Sequence, residues 1–165
     1  MIGRQRGVCF VVIGTLAVFN LQGQYTLSID NTDPWEPQAD FVGLAGDDYP
    51  ASFESDPNQY QLSVAPPGGP PGSQPDYEVT VRREDTVWDP GLTLEVRRTG
   101  DGGGPGTISG GLGYLAVSTT DAIFFEGRGR KSNIPVQLRL SGAFGGEGVP
   151  AGSYTTTVIY TIADR

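Results

Sequence analysis

The chain is made of short runs in which apolar and polar residues alternate, each cut off by glycine or proline. "QYTLSI" (24–29), "QYQLSV" (59–64), "YEVTVRR" (77–83), "LTLEVRR" (92–98), "YLAVS" (114–118), "AIFFEG" (122–127), "IPVQLRL" (134–140) and "SYTTTVIYTI" (153–162) are rich in Val, Ile, Leu, Thr and aromatic residues. A period of two sends successive side chains to opposite faces of an extended strand. Between the runs lie "APPGGPPGSQPD" (65–76), "TGDGGGPGTISGG" (99–111) and "GAFGGEGVPAG" (142–152). The 25 glycines and 13 prolines would break helices, but they suit the corners of a β-fold. The pattern predicts an all-β chain, an immunoglobulin-like or Greek-key β-sandwich of about 7–8 strands. Two packed sheets hide one face of each strand, which accounts for alternation instead of solid apolar runs.

The first segment departs from this pattern. "MIGRQRGVCFVVIGTLAVFNLQGQ" carries Arg4 and Arg6, then an apolar run from Val8 to Phe19, then a polar stretch of small residues. That order is the pattern of a secretory signal peptide, and the run is short for a membrane span. Residues 1–23 are therefore expected to be a leader, 24–40 an N-terminal strand and linker, and 41–165 the sandwich. The expected product is secreted, extracellular or at the cell surface, without a membrane segment once the leader is removed. Of the 11 basic residues, Arg4 and Arg6 leave with it, so 9 face 19 acidic ones. A net charge of about −10 repels nucleic acid and anionic lipid, so neither is an expected partner.

The chemistry available is narrow. The chain has no histidine, and its one cysteine, Cys9, lies in the expected leader. A Ser–His–Asp or Cys–His relay cannot be assembled, nor can the common zinc sites. Paired carboxylates could still serve a glycosidase, but the acids fall mostly in turns, and no enzyme is expected. Lys131, the single lysine, stands in "GRGRKSN" and reads as a solvated loop charge. The glycine-rich 99–111 stretch lacks the Gly-Lys-Ser/Thr of a phosphate cradle and reads as a loop. "DNTDPWEPQAD" (30–40) and the nearby "GDD" (46–48) offer Asp30, Asp33, Asp40, Asp47 and Asp48 as oxygen donors for calcium, without the spacing of an EF-hand. A solvated linker with Asx turns explains the same residues. Trp35 and Trp88 could be stacking platforms for sugar or ordinary core aromatics. A secreted carbohydrate- or calcium-binding module is thus the alternative to a structural role.

Both ends of the expected mature chain are strand-like. At the start, Tyr25, Leu27 and Ile29 share one face, followed by a linker that Pro34 and Pro37 keep extended. A strand, a stiff linker and a globular body form a subunit that can lend its first strand to a neighbour. At the other end, Tyr154, Val158, Tyr160 and Ile162 share one face of the closing strand. The stretch "GEGVPAGSYTTTVIYTI" (146–162) resembles the closing strand of secreted pilin-like subunits, notably the spore coat protein U-like group of the chaperone–usher route. The cysteines usual in that group are absent here. The resemblance implies an immunoglobulin-like sandwich that polymerises outside the cell by donor-strand exchange. The expectation is then a structural subunit of a filament or surface layer, a homopolymer joined through Tyr25, Leu27 and Ile29 and the closing strand.

Overall fold

Eleven strands follow one another in the computed structural model, which describes residues 10–20, 25–37, 51–66, 74–142, 149–150 and 152–165. They are β1 (Phe10–Asn20), β2 (Thr26–Asp30), β3 (Ser52–Glu54), β4 (Tyr60–Ala65), β5 (Asp76–Val87) and β6 (Thr93–Arg98). The rest are β7 (Thr107–Ser109), β8 (Leu115–Ala116), β9 (Ala122–Arg128), β10 (Lys131–Ser141) and β11 (Ser153–Asp164). No helix among the described residues is long and apolar enough to cross a membrane. The strands form two packed sheets, and the fold is the expected all-β sandwich. All eight anticipated runs are strands. The three additional ones are β3, β7 (inside the stretch read as a glycine-rich loop) and β1 (inside the segment read as a leader).

One sheet has the order β1-β11-β5-β9-β7 and the other β2-β4-β10-β6-β8, with β3 and β4 sharing one edge of β10. From β4 to β11 every successive strand lies in the opposite sheet. Successive strands from β4 onward are therefore not paired with each other as hairpins. The shortest arch is Gly129–Arg130, where Gly129 takes a positive φ of 72° that a side chain would resist.

Alternation builds the core. In β4, Tyr60, Leu62 and Val64 are buried; in β6, Leu94 and Val96; in β5, Tyr77, Val79 and Val81. Each fully buried apolar side chain contributes roughly 1.5–3 kcal/mol relative to exposure. The pattern breaks informatively in β10. Lys131 faces Val64 and Ile134 faces Leu62, so three steps on one strand match two on the other. Asn133 absorbs the extra residue at a φ of 52°. This bulge returns Lys131 to the inward face, where it is only 7% exposed. The sequence reading of Lys131 as a solvated loop charge is corrected on this point: it begins a strand, and the bulge buries it.

Candidate functional site

Strand β11 is the most densely constrained element. Its inward residues Tyr154, Thr156, Val158, Tyr160 and Ile162 are all buried. On one side it pairs antiparallel with β5, from Thr155↔Val87 to Asp164↔Tyr77. On its other side β1 runs parallel to it, from Phe10↔Ser153 to Asn20↔Ile162, with one register shift between Gly14 and Ala17. This is the single parallel pairing among the described strands. β1 also lies near β2 of the opposite sheet. It thus closes the side of the sandwich between β11 and β2.

The residues named from the closing strand line the floor beneath that side. The Tyr160 hydroxyl is 2.6 Å from that of Tyr60 on the opposite sheet, and its ring centroid is 5.8 Å from that of Phe124. Burial raises both phenols above their ordinary range, and for Tyr160 the neighbouring Tyr60 adds to the effect. Both stay neutral at physiological pH. The Tyr154 hydroxyl donates to the Pro150 carbonyl at 2.7 Å. Thr156 Oγ1 lies 2.8 Å from Asp85 Oδ1 and 3.1 Å from the Glu84 carbonyl oxygen, which anchors β11 to β5.

The N-terminal strand is seated within its own chain. β2 pairs antiparallel with β4, from Thr26↔Ala65 to Asp30↔Gln61. Tyr25 and Leu27 are buried, and Ile29 packs partly buried against the same core. The Tyr25 hydroxyl donates to the Pro75 carbonyl at 2.5 Å, and its ring centroid lies 5.1 Å from that of Tyr77. Burial, then the carboxylates of Asp164 and Asp76, raise the Tyr25 phenol.

Other sequence candidates land elsewhere. Asp30 and Asp33 are exposed, whereas Asp40, Asp47 and Asp48 lie outside the described residues. Among the described residues no group of three or more acids is placed to hold a metal ion. Trp35 and Trp88 are both partly buried against the core, and the Arg83 guanidinium covers Trp88 at 4.7 Å from the ring centroid. The glycine-rich stretch closes on its own chain: Gly103 and Ser132 exchange backbone bonds of 2.7 and 3.0 Å, and Gly106 N donates to Arg130 O at 3.0 Å. Amides used in this way are not free for a phosphate. A depression of about 350 Å³ beside β7 and β9 is lined by Asp76, Glu126, Arg128 and Arg165 among others. Its charges are already matched, Arg165 with Glu126 and Arg128 at 3.9 Å from Asp76.

Sequence reasoning missed two arginine arrangements. Arg98 ends β6 on the inward face, 3% exposed, and its guanidinium bonds the carbonyls of Gly100 and Gly110 and the Asp101 carboxylate. It plugs one end of the sandwich and organises the glycine-rich arch. On the outer face of the second sheet, Tyr114 lies between Arg97 and Arg139, 4.5 and 3.8 Å from its ring centroid. Arg139 also makes a bidentate pair with Glu95 at 2.6 and 2.8 Å. Alternation marks these arginines as facing in or out, but it does not reveal their distant partners. Compared with known proteins, the chain matches no protein-family model and no curated protein.

Proposed function

We propose that the chain is an exported structural subunit of an extracellular filament or surface layer. Copies are joined by β-strand complementation, an N-terminal strand of one completing a sheet edge of the next. The observation that carries this reading is β1, an apolar segment with the pattern of a leader, paired along nearly the whole outer edge of β11. An edge of that length, left open, is a row of unsatisfied amides and carbonyls that invites another strand. Most of the inward residues beneath it, Tyr154, Val158, Tyr160 and Ile162, are aromatic or aliphatic, so a strand seated there gains burial as well as backbone bonds. The resemblance of residues 146–162 to the closing strand of pilin-like subunits points the same way.

Electron microscopy of negatively stained native material, together with intact mass, tests the proposal. The expected result is filaments or sheets whose subunit starts at or near Gln24. Isolated particles retained on a polysaccharide column would overturn it in favour of a carbohydrate-binding module.

A further inference from the structure

We infer that the outer face of the first sheet carries a binding site for an uncharged saccharide, in the depression of about 350 Å³ beside β7 and β9. The site is independent of the assembly reading above, which concerns the opposite end of the same sheet.

The ladders fix what the depression presents. Tyr77, Gly127 and Ile108 stand side by side on β5, β9 and β7, and Tyr77 and Ile108 pack toward the core. With a period of two, their neighbours on either side face outward. One outward row is Asp76, Arg128 and Thr107; the other holds Glu126 and Ser109. Arg165, just beyond the end of β11, reaches Glu126. These six residues line the depression, whose volume falls in the range of small-molecule sites. Beneath them are three paired strands, and Arg128 Nε is held by the Gln74 carbonyl at 2.7 Å. The polar groups are thus in place before a ligand arrives.

The lining chemistry selects the ligand. Its two carboxylates and two guanidinium groups cancel, so neither an anion nor a cation is favoured. What remains is hydrogen bonding in both directions. Carboxylates accept, guanidinium groups donate, and the hydroxyls of Thr107 and Ser109 do both. Adjacent hydroxyls of a sugar ring use that mixture, one accepting while the next donates. The Asp76 carboxylate lies 3.9 Å from Arg128 Nε, beyond hydrogen-bond reach, and the two side chains are 62% and 60% exposed. A ligand hydroxyl can therefore come between them, and the terminal amino groups of Arg128 are left for the same ligand. The wholly buried Tyr77 offers no stacking face, so binding rests on hydrogen bonds and is weak at a single site. Sheet order puts β7 at the end opposite β1. Copies joined along the β11 side each present the depression, and many weak sites on one filament give avidity.

The test is affinity chromatography of the full chain on immobilised dextran, mannan and laminarin, with alginate as the charged comparison. The expected result is retention on at least one of the three uncharged polysaccharides. It should persist as salt rises from about 50 to 500 mM, because screening leaves hydrogen bonds to a neutral ligand untouched. Thr107→Val and Arg128→Gln should each weaken retention about tenfold, the scale of one lost hydrogen bond. Urea midpoints check that both variants fold. Arg130→Ala, exposed on the arch beside the site, should leave retention unchanged. Retention that persists in both folded variants overturns the inference, as does no retention at all, or binding to alginate alone that salt abolishes. Electron microscopy separates this from the assembly reading. Filaments that bind none of the polysaccharides leave assembly standing without this site. Isolated particles retained through Thr107 and Arg128 support the site and overturn assembly.

Discussion

The hydroxyls of Tyr60 and Tyr160 meet at 2.6 Å inside the sandwich, one from each sheet. Their ring centroids are 6.1 Å apart. A buried hydroxyl is costly without a partner, and here each supplies the other, so one polar contact sets the register of two apolar faces. Tyr60→Phe should leave the Tyr160 hydroxyl unpaired and lower stability by about 1–3 kcal/mol. Tyr160→Phe should do the same. The double replacement should cost clearly less than the two single losses added together, because it leaves no orphaned group. Urea denaturation of the three variants measures this, and strictly additive losses would show that the pair is not coupled.

Alkaline pH should unfold the protein steeply. Burial, with Tyr25 adding to it, pushes the Tyr77 phenol up to about 12, and Tyr60 and Tyr160 are raised as well. A raised phenol is neutral in the fold but ionises in the unfolded chain near its ordinary value of about 10. Its contribution to stability is therefore complete below about pH 10 and is lost as pH climbs toward the folded value, by about 1.4 kcal/mol per pH unit for each such tyrosine. Urea midpoints should stay level below that point and fall sharply above it. The tyrosinate absorbance of Tyr60, Tyr77 and Tyr160 should appear together with unfolding; ionisation of all 7 tyrosines in a still-folded protein would contradict the burial of these groups.

Arg98 should be far more sensitive than its ion-pair partner. Its guanidinium is buried against the carbonyls of Gly100 and Gly110, whereas Asp101 is 65% exposed. Arg98→Met keeps the apolar stem but leaves the arch carbonyls without their donor, and should cost about 2–4 kcal/mol. Asp101→Asn removes only a solvated charge and should cost less than about 1 kcal/mol. Thermal denaturation of both variants tests the ordering. Equal effects would show that the ion pair, not the carbonyl contacts, secures the arch.

Tyr77 and Gly127 form a second paired test. They are opposite each other in the β5–β9 ladder, and a Cβ at Gly127 would collide with the Tyr77 phenol. Gly127→Ala should therefore lower stability by about 1–3 kcal/mol through overpacking. The Tyr77 hydroxyl itself is buried without a hydrogen-bond partner. Tyr77→Phe removes that unpaired group and should leave stability unchanged or raise it by about 1 kcal/mol. A marked loss in Tyr77→Phe would point to a partner for this hydroxyl.

The alternation of Tyr60 to Ala65, Thr93 to Arg98 and Ser153 to Asp164 was enough to identify these segments as strands and their inward sides. That information is local: each residue's neighbours at two positions either way decide which face it takes. The glycine- and proline-rich stretches likewise marked where the chain must turn. The absence of histidine ruled out whole classes of catalytic site without any fold at all.

Tertiary structure decided the rest. No local pattern tells that consecutive strands from β4 onward cross to opposite sheets, because pairing depends on burying both sheets' apolar faces at once. The inward turn of Lys131 required the bulge at Asn133, which exists only against Leu62 and Val64 of β4. The partners of Tyr60 and Tyr114 lie across the sandwich or in another strand, and those of Arg98 in the arch that follows it, where a hydrogen bond or ring contact becomes available only once the chain has folded back. Above all, residues 10–20 carry one pattern with two physical outcomes. Apolar residues in a row satisfy a leader, and the backbone of the same residues pairs in parallel with Ser153–Ile162. Hydrophobicity was written in the sequence; the sheet edge along which residues 10–20 run exists only because β11 is itself paired to β5.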